Sequence, residues 1–143
     1  GVNNAAPVLN QFLDTELERR KLPPSALALV GFSQGTMMSL HVGLRRAGAP
    51  AAIVGYSGVL VLPEKTGPEA IAGEITSKPP VLLIHGDMDE LIPAQALFHA
   101  TDSLAKLEVP VEWHMSQGVG HGIDQEGLRH GGAFLARRFG LKG

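Results

Sequence analysis

The chain has 143 residues, with 12 Lys and Arg against 14 Asp and Glu, 44% hydrophobic residues and no Cys. This length allows one domain, and a formal net charge of −2 argues against binding to the phosphates of a nucleic acid. Without Cys, these residues cannot form disulfides, Cys-ligated zinc sites or a Cys nucleophile, and no apolar run reaches the roughly 18 residues of a membrane-spanning helix.

The first predicted elements are a helix, a strand, a tight turn and a second helix. Apolar side chains recur at helical spacing over residues 7–21, and Pro7 suits the first turn of that helix. The short apolar run 26–30 is typical of a buried parallel strand. Residues 31–35 then form the turn, and the second helix closes at residues 45–48.

Strands and helices continue to alternate along the chain. Apolar runs predict strands at residues 51–56 and 81–84. The Pro-rich and Gly-rich segment 62–80 between them is interpreted as a surface excursion, with a short helical piece expected at residues 68–72. Residues 94–106 have helical periodicity. Residues 111–116 alternate between apolar and polar, which predicts a last strand near the sheet edge.

A final helix is expected over residues 124–139, with the pair Gly131 and Gly132 as its weak point. Alternating strands and helices joined by right-handed crossovers imply an open, mainly parallel sheet with helices on both faces. The predicted fold class is therefore α/β.

The first candidate for chemistry is a serine between two glycines, Gly31-x-Ser33-x-Gly35. As a string it is weak evidence, but it lies between a predicted strand and a predicted helix. This context is typical of a nucleophile elbow, in which small neighbours allow a strained turn to hold the serine hydroxyl above the strand end. We therefore predict that Ser33 is a nucleophile.

A nucleophilic serine needs a base and an acid that orients the base. In α/β sheets with a nucleophile elbow, the acid follows the serine along the chain and the histidine follows the acid. Asp87, Asp89 and Glu90 all follow a predicted strand and all qualify as the acid by their chemistry. His121 lies between glycines in the loop after the last strand. Since the carboxyl ends of parallel strands share one rim, these groups are expected near Ser33.

Three segments together resemble a known family. They are residues 31–35 (GFSQG), 85–93 (HGDMDELIP) and 120–122 (GHG). In this combination they are similar to the carboxylesterase, phospholipase and acyl-protein thioesterase family of α/β-hydrolases. The Phe-Ser-Gln elbow and the His-Gly-x-x-Asp-x-x-x-Pro pattern are more specific than the general elbow motif, and the likeness runs from the first helix to the last.

The resemblance implies a role for each matching residue. By motif position Ser33 is the nucleophile, Asp89 rather than Asp87 is the acid, and His121 is the base. The family often has Pro after that acid where this chain has Glu90, a departure that changes the charge of the loop.

The oxyanion of the reaction also needs hydrogen-bond donors. The backbone N–H of Gln34 lies where the elbow becomes a helix and is the predicted first donor. The resemblance implies that a second donor comes from an early segment of the fold with several strands before the first helix seen here. We therefore expect residues 1–143 to be a single α/β-hydrolase domain that lacks its N-terminal strands.

Other polar residues are expected to be structural. His85 is predicted to pack or hydrogen-bond under the acid-bearing loop. Ser57, which closes the second strand on the same rim, is interpreted as a turn serine, with contact to the substrate as the alternative. No metal site is predicted, because the remaining histidines have no acidic or Cys partner at ligand spacing. The arginine pairs are expected to be solvated helix ends, at Arg45, Arg46, Arg137 and Arg138.

Two functions remain open from the sequence. The first is a serine carboxylesterase, with thioesterase or lysophospholipase activity as variants, that cleaves a small-molecule or lipid-like ester through an acyl-enzyme without a cofactor or a metal. The alternative is a catalytically inactive, hydrolase-like binding domain. A cytoplasmic location is favoured, no nucleic-acid partner and no membrane span are expected, and the sequence leaves open whether the chain forms a homodimer.

Overall fold

The structure is a computed structural model and describes residues 2–141. Within that range, helices and strands alternate along the chain. In order they are helix α1 (Val2–Arg20), strand β1 (Ala28–Phe32), helix α2 (Gln34–Arg45), strand β2 (Ala52–Tyr56), strand β3 (Val81–Gly86), helix α3 (Gln95–Lys106), strand β4 (Val111–Ser116) and helix α4 (Gln125–Arg138).

The strands form one parallel sheet in the order β1-β2-β3-β4. The predicted α/β class is confirmed, and β4 lies at an edge of the sheet as its alternating sequence predicts. Because the strands are parallel, the turn after β1 and the loops after β3 and β4 all meet at one rim.

Helices cover both faces of the sheet and divide the core into two layers. On one face, α1, α2 and α3 contribute apolar side chains such as Leu13, Leu44 and Leu104 to a cluster with Ile53 and Leu83 of the sheet. On the other face α4 packs Phe134 against a second cluster formed by β2 and β3. Burial of these aliphatic and aromatic side chains is the main favourable contribution to folding.

Helix α1 is longer than predicted. It begins at Val2, so Pro7 lies inside the helix rather than in its first turn. Proline there has no N–H to donate to the preceding turn, but Ala6 is buried in the core, so packing holds the extra turn in place. The helix ends where Lys21 adopts a positive φ of 55°.

The first strand is displaced by two residues from its predicted position of 26–30. Pro24–Ala26 forms a short 3-10 turn, and β1 runs on to Phe32 because its pairing with β2 continues as far as Tyr56. The predicted five-residue turn therefore contracts to the single residue Ser33, with helix α2 beginning at Gln34.

One predicted solvated helix end is wrong. The side chain of Arg46 is buried and donates to the Asp14 carboxylate at 2.7 Å and to Asn10 at 3.0 Å, both on α1. Arg45 forms an ion pair with Glu74 at 2.9 Å. The chain brings α1 and α2 together at this point, and a single sequence does not reveal that contact. The other pair, at the end of α4, is exposed as predicted.

The segment 62–80 is only partly a surface excursion. It forms two 3-10 turns, Pro68–Ala70 and Ala72–Glu74, and between them Ile71 is fully buried in the core beside α3. The excursion thereby closes part of the larger core layer.

The glycine pair that was predicted as the weak point of the last helix lies within the unbroken helix α4. Gly131 lies against Tyr56 so closely that a Cβ at this position would overlap the tyrosine hydroxyl, whereas a Cβ at Gly132 would meet no atom within 4 Å. The first glycine is therefore a packing residue and the second is not.

The predicted domain, residues 1–143, includes Gly1, Lys142 and Gly143, which lie outside the described residues. None of the helices described here has the length and apolar character needed to cross a membrane.

Candidate active site

Ser33 forms a strained turn between β1 and α2. Its φ is 57° and its ψ is −114°, a conformation that L residues rarely adopt, and its N–H donates to the Tyr56 carbonyl at 2.8 Å. Thr36 supports the turn from inside, with its hydroxyl 2.8 Å from the Tyr56 carbonyl and 3.0 Å from the Gly31 carbonyl. The turn lifts the Ser33 side chain above the end of the strand, as the elbow motif predicts.

The two glycines of the motif contribute unequally to this turn. A Cβ at Gly31 would overlap the backbone of Gly35 and Thr36, so only glycine allows the strand and the helix to approach this closely. A Cβ at Gly35 would meet nothing within 4 Å among the described residues. The prediction that both positions require a small residue is therefore supported only at Gly31.

His121 lies between the serine and a carboxylate. Its Nε2 is 3.0 Å from Ser33 Oγ, and its Nδ1 is 2.7 Å from Asp89 Oδ2. Because a carboxylate oxygen only accepts hydrogen bonds, the Nδ1 carries the proton and Nε2 is the atom free to accept the serine proton. The structure thus brings together the three side chains singled out in the sequence, although 88 residues separate Ser33 from His121.

Asp89 is fully shielded from solvent and well supplied with donors. Its second oxygen, Oδ1, accepts the backbone N–H groups of Leu91 at 2.9 Å and Ile92 at 2.8 Å. Burial raises the pKa of the Asp89 carboxyl, but the N–H of Ile92, the ring of His121 and the N–H of Leu91 together outweigh burial and hold this pKa below its ordinary value. The carboxylate is therefore ionised and fixed in orientation.

The other two candidate acids lie elsewhere in the same loop. Asp87 accepts the backbone N–H of Gly118 at 2.7 Å and so joins the loop after β3 to the loop after β4. Glu90 is exposed and points to no partner in the hydrogen-bond network of the described residues. Of the three acids that qualify by chemistry, Asp89, the one that the resemblance implies, hydrogen-bonds to His121.

His85 is buried beneath the acid-bearing loop, as predicted. Its Nε2 donates to the Ile92 carbonyl at 2.8 Å and lies 3.4 Å from Asp89 Oδ2. His85 therefore stabilises the loop that carries Asp89.

Gln34 is the first residue of α2, so its backbone N–H has no acceptor within the helix. The positive end of the helix dipole lies at the same place. The group is therefore positioned to donate to an oxygen that develops negative charge beside Ser33.

The sequence did not single out two contacts that hold His121 in place. The ring of Phe32 packs against the imidazole with 4.9 Å between ring centroids. Ser57, interpreted as a turn serine, is buried with a φ of 53°, and its hydroxyl donates to the Gly122 carbonyl at 3.2 Å. The position of Ser57 at the end of β2, on the same rim, had suggested contact with the substrate as the alternative, not contact with the loop that carries His121.

The remaining histidines do not gather at the site. Across residues 2–141 no group of three or more acidic and histidine side chains is arranged to hold a metal ion. His114 and His130 stack with ring centroids 3.9 Å apart between β4 and α4.

Comparison with known proteins points to one family. The family described as Phospholipase/Carboxylesterase matches residues 1–138. Among curated proteins, acyl-protein thioesterase 1 of Gibberella zeae is 30% identical over 115 residues, which is 80% of this chain and 49% of that protein. Acyl-protein thioesterase 1 of Schizosaccharomyces pombe is 34% identical over 94 residues, or 66% of this chain and 41% of that protein.

Solved structures are also similar to this chain in fold. Esterase PE8 is 44% identical, with a TM-score of 0.89 over 96% of this chain and 61% of that one. SOBER1 of Arabidopsis thaliana is 23% identical with a TM-score of 0.87 over 96% of this chain and 64% of that one, a likeness in fold. The chain spans about half the length of the curated relatives it matches.

Proposed function

The chain belongs to the phospholipase/carboxylesterase family, and we propose that it acts as a serine hydrolase that cleaves carboxylic or thio esters through an acyl-enzyme. The observation that carries this proposal is the continuous hydrogen-bonded series from Ser33 Oγ through His121 to Asp89. Similarity to proteins named as esterases and as thioesterases supports both ester types as candidate substrates.

In the proposed acylation step, Ser33 Oγ attacks the ester carbonyl carbon while His121 Nε2 takes the hydroxyl proton. The π electron pair of the carbonyl moves to its oxygen and gives a tetrahedral oxyanion. The Asp89 carboxylate holds the proton on Nδ1 of His121 and stabilises the positive charge that the ring acquires.

The oxyanion receives a hydrogen bond from the backbone N–H of Gln34. This donor needs no rearrangement during the reaction, because it is fixed at the start of α2, and the helix dipole adds to its effect. A second donor is expected from a segment outside residues 1–143.

Collapse of the oxyanion breaks the bond to the leaving group, and His121 gives its proton to the departing oxygen or sulfur atom. Water then attacks the acyl-serine, with His121 again taking a proton, and the acid product leaves as Ser33 regains its hydrogen. His121 thus accepts and releases each proton at Nε2, the ring nitrogen that faces Ser33.

Labelling by a serine-reactive phosphonate probe tests this proposal. We expect the natural chain that carries residues 1–143 to react at Ser33, and Ser33→Ala to remove both the label and, by a factor on the order of 10⁶, the ester hydrolysis. Circular dichroism checks that the variant is folded. A folded chain that takes no label and cleaves no ester would favour the alternative, a hydrolase-like binding domain, and a variant that keeps more than about a hundredth of the activity would remove Ser33 from the mechanism.

A further inference from the structure

A cavity of about 350 Å³ opens beside His121. Its walls come from two loops, the acid loop (residues 87–93) after β3 and the histidine loop (residues 117–123) after β4. They are lined by Met88, Glu90, Leu91, Gly118, Gly120 and His121. The volume lies within the range of about 300–1,000 Å³ that is usual for small-molecule sites.

Two apolar side chains of the acid loop are exposed at this cavity. Met88 is 64% exposed and Leu91 is 74% exposed, although both side chains are apolar. Neighbouring apolar groups that stay exposed beside a reactive histidine offer contact area to a ligand. The flexible thioether of Met88 can adapt its shape to different ligands.

Glu90 is the charged side chain of the cavity that has no partner. Asp87 is engaged by the N–H of Gly118, and Asp89 is engaged by His121 and by the loop backbone. No Lys or Arg lies within ion-pairing distance of Glu90 among residues 2–141. Its negative charge is therefore available to interact with a ligand that enters the cavity.

The position of the cavity beside His121 indicates which end of the substrate would contact it, namely the leaving group. In the proposed mechanism His121 gives its proton to the leaving group, so the leaving oxygen or sulfur must lie within hydrogen-bonding reach of Nε2. The part of the substrate attached to that atom then extends along the surfaces next to His121. The cavity is such a surface.

We propose that this cavity binds the leaving group of the ester, and that Glu90 makes it select cationic or neutral apolar leaving groups over anionic ones. This assignment rests on the proposed ester hydrolysis. Met88 and Leu91 supply apolar contact, while the Glu90 carboxylate attracts a positive charge and repels a negative one. Removing the charge should change the discrimination between substrates without changing the reaction itself.

Three esters of butyric acid with leaving groups of similar size test the proposal in the natural chain. Their alcohols are choline, which is cationic, 3,3-dimethylbutan-1-ol, which is neutral, and 3-hydroxypropanesulfonate, which is anionic. We expect kcat/KM for the choline ester to exceed that for the sulfonate ester. Glu90→Gln should lower this ratio by about 3-fold to 10-fold, with a smaller change in kcat/KM for the neutral ester than for either charged ester.

Salt and a matched variant provide the controls. Raising the ionic strength from about 0.01 M to about 1 M screens exposed charges, so it should lower the choline-to-sulfonate ratio of kcat/KM in the wild type. The same change should not affect this ratio in Glu90→Gln. Glu18→Gln removes another exposed carboxylate, near the end of α1 and far from the rim, and should leave every ratio unchanged.

An unchanged ratio in Glu90→Gln would overturn the assignment, as would an equal loss for all three esters, which would indicate a distorted loop instead of lost charge selection. Failure of the proposed function looks different. In that case the wild-type chain cleaves none of the esters and takes no phosphonate label, whereas failure of the subsite alone leaves hydrolysis and labelling intact.

Discussion

At the scale of single residues, the two histidines near Asp89 should differ in what they contribute. His121 contacts both Ser33 and Asp89, so His121→Ala is expected to lower kcat by a factor approaching that of losing the serine, on the order of 10⁶. His85 contacts Asp89 only at 3.4 Å and donates mainly to the Ile92 carbonyl. His85→Ala should cost far less activity per folded molecule.

The measurement is kcat for both variants, corrected for the folded fraction from thermal unfolding. The correction matters because His85 is buried, and truncating a large buried side chain costs about 2–5 kcal/mol of stability. Equal losses of kcat in the two folded variants would mean that the base has been assigned to the wrong residue or is shared.

The two aspartates of the acid loop give a second comparison. Asp89→Asn should lower kcat by roughly 10⁴, because an amide can hold His121 in the wrong tautomer. Asp87→Asn should be much milder, since Asp87 accepts only a backbone N–H of the histidine loop and an amide oxygen can replace it. Steady-state kinetics on one soluble ester measures both, and a larger loss at Asp87 would contradict the assignment of the acid.

At the scale of elements, helix α4 contains a matched pair of glycines in different surroundings. Gly131→Ala should destabilise the protein by about 1–3 kcal/mol, because its methyl group must displace the buried Tyr56 hydroxyl, which donates to the Gly127 carbonyl at 2.9 Å. Gly132→Ala faces open space and should be stabilising by up to about 1 kcal/mol, the difference in helix propensity.

Chemical denaturation of both variants in the same protein measures this difference. Equal effects would show that Tyr56 moves aside without cost and that the contact with α4 is not tightly packed. The Tyr56→Phe, Gly131→Ala double variant adds a check, since removing the hydroxyl should relieve much of the penalty.

At the scale of the whole molecule, strand β1 lies at one of the two edges of the sheet within residues 2–141. Its side chains Val30 and Phe32 are 56% and 40% exposed on the face that α4 covers elsewhere. An open, apolar strand edge is a template for pairing with another chain. We therefore predict that residues 1–143, produced alone, self-associate and have negligible esterase activity.

Light scattering coupled to size-exclusion chromatography measures this association. Val30→Lys should reduce it, since a charge on an edge strand opposes pairing, whereas Val8→Lys, at an exposed position of α1, should not. A monomeric and fully active peptide of these residues would contradict the prediction and would require the second oxyanion donor to lie within them.

Much of the fold could be read from local patterns. Apolar runs and helical periodicity placed each strand and helix, because burial in a parallel sheet demands continuous apolar runs and packing on a sheet demands an apolar helix face. The boundaries were less well predicted. Helix α1 begins five residues before its predicted start because Ala6 is buried. Strand β1 ends two residues after its predicted end because it pairs with β2. Both depend on distant partners.

The sequence by itself determined the order of the elements and the identity of three chemically suited residues, because the elbow and loop motifs are local and the rim of a parallel sheet brings them together. The motif resemblance already favoured Asp89 as the acid. Only the tertiary structure decided that its carboxylate contacts His121, that Arg46 is buried, and that Glu90 borders a cavity without a partner among residues 2–141. Asp87, Asp89 and Glu90 are almost adjacent in sequence and chemically alike. The folded loop distinguishes them, because its backbone directs each carboxylate to a different neighbour.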